Sequence, residues 1–211
     1  MKGFAELFSR LDQERGTNAK VAAMAAYFRI VDPAEGAWAV YFLSGRRVKR
    51  LIGPVQLRQW LAEASELPDW LVEETHQHVG DLAETIALLL IDPIHRPEPD
   101  TRTLADWVEE EILVLRTQDD ETRRQRVTHA WARLDEDGRF LYSKLLTGAL
   151  RVGVSQTLVE RALARATDQP RPVIAHRLMG QWTPTAAFFQ GLFEARSSHE
   201  DATRPYPFFL A

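Results

Sequence analysis

The sequence has no cysteine, which removes disulfides and thiolate metal sites together. That absence suits a reducing cytoplasm, where the chain is expected to reside. It has no long apolar run either. Its apolar runs, Ile86 to Ile91 among them, are far too short to span a bilayer, so no membrane partner is expected. No secretory signal opens the chain, because Met1-Lys2-Gly3-Phe4-Ala5-Glu6-Leu7 is amphipathic and carries an acid early. No segment alternates apolar and polar residues with a period of two, so strands are not expected and the chain reads as all-α.

Two windows have no acid, in a chain whose net charge is −4. Between Glu35 and Glu63 the only charges are Arg46, Arg47, Lys49, Arg50 and Arg58. Between Asp137 and Glu160 they are Arg139, Lys144 and Arg151. The acids gather instead at Asp106–Glu111 and Asp119–Glu121, which read as solvated helix faces. Distribution matters more than the sum when a charged partner is sought.

Each acid-free window contains a copy of one pattern: apolar helix end, hydroxyl, glycine, basic loop, new helix. Phe42-Leu43-Ser44-Gly45 aligns with Leu145-Leu146-Thr147-Gly148, 103 residues downstream. A weaker echo follows each copy, at His76–Thr85 and at His176–Thr185, sharing His, Gly and Thr. Glycine at such a corner allows positive φ and close approach to a ligand. Ser155 is placed to cap the next helix, and a helix N-terminus offers free N–H groups and partial positive charge that suit phosphate. A single copy would pass for an ordinary αα-turn with a glycine cap. Two copies predict a helical domain of two pseudo-two-fold related halves, about 1–92 and 103–196, with Gly45 and Gly148 at equivalent corners on one face. A nucleic-acid duplex has the matching symmetry.

In chain order, apolar spacing predicts helices from Phe4 to about Glu14, and from a cap at Thr17 or Asn18 through Phe28. Further helices start at Pro33, at Gly53-Pro54, at Pro68, and from Leu82 to Leu90. Asp92–Asp100 reads as a connector. Thr103 opens a helix holding Leu104, Trp107, Val108 and Ile112, and others follow near 120–134, 136–146 and 158–166. Pro170 and Pro172 open a short one, and Thr183-Pro184 caps the last. Trp38, Trp107 and Trp131 sit at apolar positions and are expected in the core. Residues 197–211, ending Arg204-Pro205-Tyr206-Pro207-Phe208-Phe209-Leu210-Ala211, are unusually apolar for a terminus and read as a linker toward a further domain.

These residues resemble a family. Thr147–Gln156 looks like the helix-turn signature in the N-terminal DNA-binding domain of ATP-dependent DNA ligases. Gly80-Asp81-Leu82-Ala83-Glu84-Thr85 is similar to a second signature of that domain, and Phe42–Arg46 with Arg204–Ala211 resembles the bacterial branch. The resemblance implies an all-helical domain that grips duplex DNA across the minor groove on both sides of a nick, without reading sequence. It implies roles in repair, replication and recombination, action as a monomer, and adenylation and OB domains further along the chain that use ATP and Mg²⁺. Their nucleophile lies in a Lys-x-Asp-Gly motif. Lys2, Lys20, Lys49 and Lys144 are the only lysines and none fits it, so this chain is expected to hold DNA, to bind no cofactor and to join nothing by itself. The residues expected at DNA are Thr17, Asn18, Lys20, Ser44, Gly45, Arg46, Arg47, Lys49, Arg50, Gly80, Lys144, Thr147, Gly148, Arg151, Gly153, Val154, Ser155 and Gln156.

Competing readings fare less well. His76-x-His78 points two ways on a helix and lacks a completing His or Cys, so no metal site is expected. Gly153-Val154-Ser155 is not a P-loop, since no Gly-Lys-Ser/Thr ending follows. A free-standing helical enzyme would need a nucleophile–base pair that the sequence does not offer. The remaining alternative is a helical-repeat protein-interaction module, which would have no need of acid-free loops.

Overall fold

Twelve helical elements, in two sets of six, carry the described residues, 1–90 and 100–194, of this computed structural model; no strand occurs among them. The first set is α1 (Lys2–Gln13), α2 (Thr17–Ile30), α3 (Pro33–Leu43), α4 (Pro54–Ser65), α5 (Asp69–Val79) and α6 (Leu82–Leu89). The second is α7 (residues 104–117), α8 (Asp120–Arg133), α9 (Glu136–Thr147), α10 (Gln156–Thr167), α11 (Arg171–Leu178) and α12 (Ala186–Phe193). Both ends of α8 lie 103 residues beyond those of α2, the offset of the sequence repeat. The linker expected at 197–211 and nearly all of the connector expected at 92–100 lie outside the described residues.

Local chemistry explains most boundaries. Phe4, Leu7, Phe8 and Leu11 make the buried stripe of α1. Asp32 caps α3 by accepting from the Ala34 N–H at 2.9 Å, with Pro33 at the first position. Asp81, Asp119 and Asp135 cap α6, α8 and α9 in the same way.

Three expected caps differ. α2 begins at Thr17 with Gly16 in the cap position, and neither Thr17 nor Asn18 caps it, because glycine there adopts the extended backbone the position needs. Ser155 occupies the cap position of α10 with extended backbone, yet its hydroxyl makes no capping bond. The cap of α12 is Thr185, which takes the Phe188 N–H at 3.2 Å, so Thr183-Pro184 lies ahead of the helix.

The regular helix expected from Thr103 is also distorted. A capping box closes its start at Leu104–Asp106; it then widens into a π turn at Trp107–Ile112 and tightens into a 3-10 stretch at Leu113–Thr117. These segments together are α7. The distorted stretch brings Glu109 to the Trp38 Nε1–H at 2.9 Å and Glu111 to Arg102 and Arg126 at 2.8 and 3.1 Å.

The two sets interlock. α12 packs on α3 and α6 on α9; α2 lies along α10 and α4 against α8; α1 touches α9 and α7 touches α3. These six contacts form three pairs that map onto each other when the sets are exchanged, the pattern of a pseudo-two-fold. One core results, holding Phe8, Met24, Phe28, Trp107, Trp131 and Tyr142 at 2 % exposure or less. Trp38, Trp107 and Trp131 are all buried, as expected. At α3–α12 the helices touch so closely that a Cβ on Gly36 would stand 2.6 Å from the Phe189 ring.

Candidate nucleic-acid interface

α3 and α9 each end in a glycine with left-handed backbone, Gly45 at φ +83° and Gly148 at φ +66°. The bonds around them are the same. The Gly45 N–H donates to the Phe42 carbonyl and the Arg46 N–H to that of Tyr41, at 2.9 and 3.2 Å. The Gly148 N–H donates to Leu145 and the Ala149 N–H to Lys144, at 3.3 and 3.0 Å. Both are Schellman closures, displaced by the repeat offset.

The corners adjoin. A Cβ on Gly148 would lie 3.6 Å from the Val48 carbonyl oxygen and 3.8 Å from Arg47 Cδ, and Arg50 Nε donates to the Thr147 carbonyl at 3.4 Å. They therefore occupy one region rather than opposite faces. Arg47, Lys49, Arg50 and Arg151 are exposed there. No ion pair among the described residues involves them or Arg46.

Each corner leads to a helix with no side-chain cap, α4 after Gly53 and α10 after Ser155. The N–H groups of Val55, Gln56, Gln156 and Thr157 find no acceptor among the described residues. First-turn N–H groups left open in this way can take an anion.

Other expected contacts are engaged within the protein. Lys20 is buried, and its ammonium donates to the Val152 carbonyl at 2.9 Å and to that of Gly153 at 3.4 Å. A Cβ on Gly153, whose φ is +59°, would stand 3.2 Å from the Lys20 ammonium and press on this tie. Arg46 is half-buried: Nη2 donates to the Gly180 carbonyl at 2.6 Å, and its guanidinium lies 4.6 Å from the Trp182 ring centre. Lys144 pairs with Asp81 and lies over the Phe140 ring at 5.1 Å.

The Thr147 hydroxyl donates back to the Ser143 carbonyl at 2.9 Å, and Ser44 Oγ is buried without a partner. Asn18 accepts from Arg161 at 2.9 Å, and Gln156 donates to Glu160 at 3.4 Å. Thr17, Gly45, Gly80 and Ser155 are exposed and Val154 is half-buried.

Residues absent from the sequence expectation also shape the site. Gly180, left-handed like Gly80 at φ +74° against +78°, and Trp182 receive Arg46; Asp81 receives Lys144. The signal that could have found them is the echo pairing Gly80 with Gly180.

Elsewhere His76 Nδ1 lies 3.4 Å from Thr85 Oγ1, and no three His, Asp or Glu converge on a metal position among the described residues. No helix among them is long and apolar enough to cross a membrane.

No curated protein matches the chain. Residues 1–164, which take in both glycine corners and most of α10, match the family described as the DNA ligase N terminus, and the chain belongs to that family.

Proposed function

We propose that the chain grips duplex DNA by its phosphate backbone, across the minor groove and around a nick, as the DNA-binding domain of an ATP-dependent DNA ligase. The observation that carries this reading is the pair of adjoining glycine corners. They bear Arg47, Lys49, Arg50 and Arg151 free of acids, and each leads to a helix with open N–H groups. Cations and open N–H groups are what phosphate takes. Such contacts fix register and carry no direct base information, and the minor groove's degenerate pattern adds little. The domain therefore tolerates any sequence and serves repair, replication or recombination alike, as a monomer in the cytoplasm. ATP and Mg²⁺ belong to adenylation and OB domains in the same protein, because none of the four lysines here stands in a Lys-x-Asp-Gly motif.

Fluorescence anisotropy on nicked duplexes of unrelated sequence, across a salt series, tests the reading. Four neutralised phosphates give a slope of log K against log salt of about −3.6. Arg151→Ala should stay folded, bind every sequence more weakly, and lower that slope by about one. Binding indifferent to salt would favour a protein-interaction groove instead.

A further inference from the structure

At both corners, the residue whose carbonyl closes the turn also sends its side chain to a glycine loop of the other half. In the first corner that residue is Tyr41. Its carbonyl takes the Arg46 N–H, and its ring packs edge-on against Trp182 with centres 5.8 Å apart. In the second it is Lys144, 103 residues on; its carbonyl takes the Ala149 N–H and its ammonium meets Asp81. The Lys144 side chain is only 12 % exposed and that of Asp81 34 %. Asp81 uses both carboxylate oxygens, Oδ1 capping α6 through the Glu84 N–H at 3.1 Å and Oδ2 holding Lys144. One carboxylate thus joins the start of α6 to the end of α9, along which α6 packs.

We propose that Asp81 is a positioning residue for DNA binding: through Lys144 it holds the end of α9, and so aims Gly148–Arg151 at the phosphates, while the Lys144 charge stays inside the protein. The proposal rests on the DNA reading above. It reverses a sign. Asp81 is an acid beside a phosphate-facing loop, so simple electrostatics has its removal tighten binding. As a brace, its removal weakens binding. It also reassigns Lys144. A phosphate-contacting Lys144 gives opposite effects for the two residues, whereas a brace gives the same sign and no additivity.

The test uses the 211-residue chain with Asp81→Asn, which keeps a capping oxygen, with Lys144→Met, which removes the ammonium but keeps an unbranched side chain of similar length, and with both together. A melting curve for each variant confirms folding. Anisotropy on a nicked duplex should show each single variant binding roughly tenfold more weakly, as for one lost charge-assisted contact, and the double variant no worse than either. Tighter or equal binding by Asp81→Asn, or additive losses, would overturn the brace. Amide hydrogen exchange in the free protein separates this from failure of the DNA reading. In Asp81→Asn the Ala149 N–H should lose protection relative to its counterpart, the Arg46 N–H. Unchanged relative protection sinks the brace whatever the DNA result. If no form of the chain binds DNA yet Ala149 loosens, the brace stands as a structural device but its role at DNA falls with that reading.

Discussion

At the first corner the chain is held by aromatic surface. Arg46 lies over Trp182, Trp182 stacks on Phe188 with centres 4.2 Å apart and rings 8° from parallel, and Tyr41 meets Trp182 edge-on. At the second it is held by charge, Lys144 on Asp81. The backbone of the two corners nevertheless agrees glycine for glycine and bond for bond. A Schellman turn needs only a missing Cβ and main-chain groups, so it survives while the surrounding side chains diverge. The braces between the halves carry no such constraint, and any contact that fixes the helix end serves.

The comparison breaks most severely below the first corner. Gly36→Val in α3 sets a branched carbon against the Phe189 ring, which already leaves no room for a Cβ. Strain of this kind typically costs about 1–3 kcal/mol, and melting should fall by several degrees, at about 2–4 °C per kcal/mol for a chain this size. Calorimetry showing an unchanged transition would mean that α12 can retreat from α3 freely, and that the first corner does not depend on that contact.

A smaller effect tests the shared backbone. Gly45→Ala and Gly148→Ala each force an L-residue into the left-handed region, which costs about 1–2 kcal/mol. Around Gly45 a Cβ would meet nothing within 4 Å, and at Gly148 its nearest neighbour stands at an ordinary 3.6 Å. The two denaturant midpoints should therefore shift alike. Losses differing by more than about 1 kcal/mol would show that the corners resemble each other in geometry but not in strain.

The sequence made the corners visible and hid the braces, for a physical reason. Glycine, proline and apolar spacing act over a few residues. Pro33 and Pro54 accordingly open their helices where expected, α6 starts at Leu82 as expected, and Gly45 and Gly148 turn as expected. A cation's partner is set by the tertiary fold. Lys20, Arg46 and Lys144 sit close to the corners but bond groups 132, 134 and 63 residues away. Nothing local distinguishes them from Arg47, Lys49, Arg50 and Arg151, which remain exposed. The caps at Thr17 and Ser155 failed differently. Cap position depends on backbone angles, which Gly16 satisfies as readily as a hydroxyl residue, and Ser155 satisfies without using its own.

The smallest expected effect separates the braces by pH. Burial acts to raise the Asp81 carboxyl, but the Lys144 ammonium and the N–H groups of Glu84 and Ala83 outweigh it, so the group titrates below its usual range. A carboxylate depressed in the folded state lends stability that is complete above its unfolded pKa, near 3.9, and is lost as pH falls through the folded value. Nothing should change between about pH 7 and 5 on this account. Below about 4 the second corner loosens, whereas the first, built on a guanidinium, a carbonyl and aromatic rings, has no titrating acid in its brace. Asp100, Asp106, Asp119 and Glu121 are depressed too, so the whole fold weakens in acid, with Asp137, raised by burial and by Asp135 and Glu6, working the other way. The informative quantity is therefore the difference between the Ala149 and Arg46 amides. After correction for intrinsic exchange, Ala149 should lose protection first on acidification. In Asp81→Asn the gap should already be open at neutral pH and should not widen further. If both amides weaken in parallel in the parent chain, acid acts through the fold as a whole and the charge on Asp81 does not distinguish the two corners.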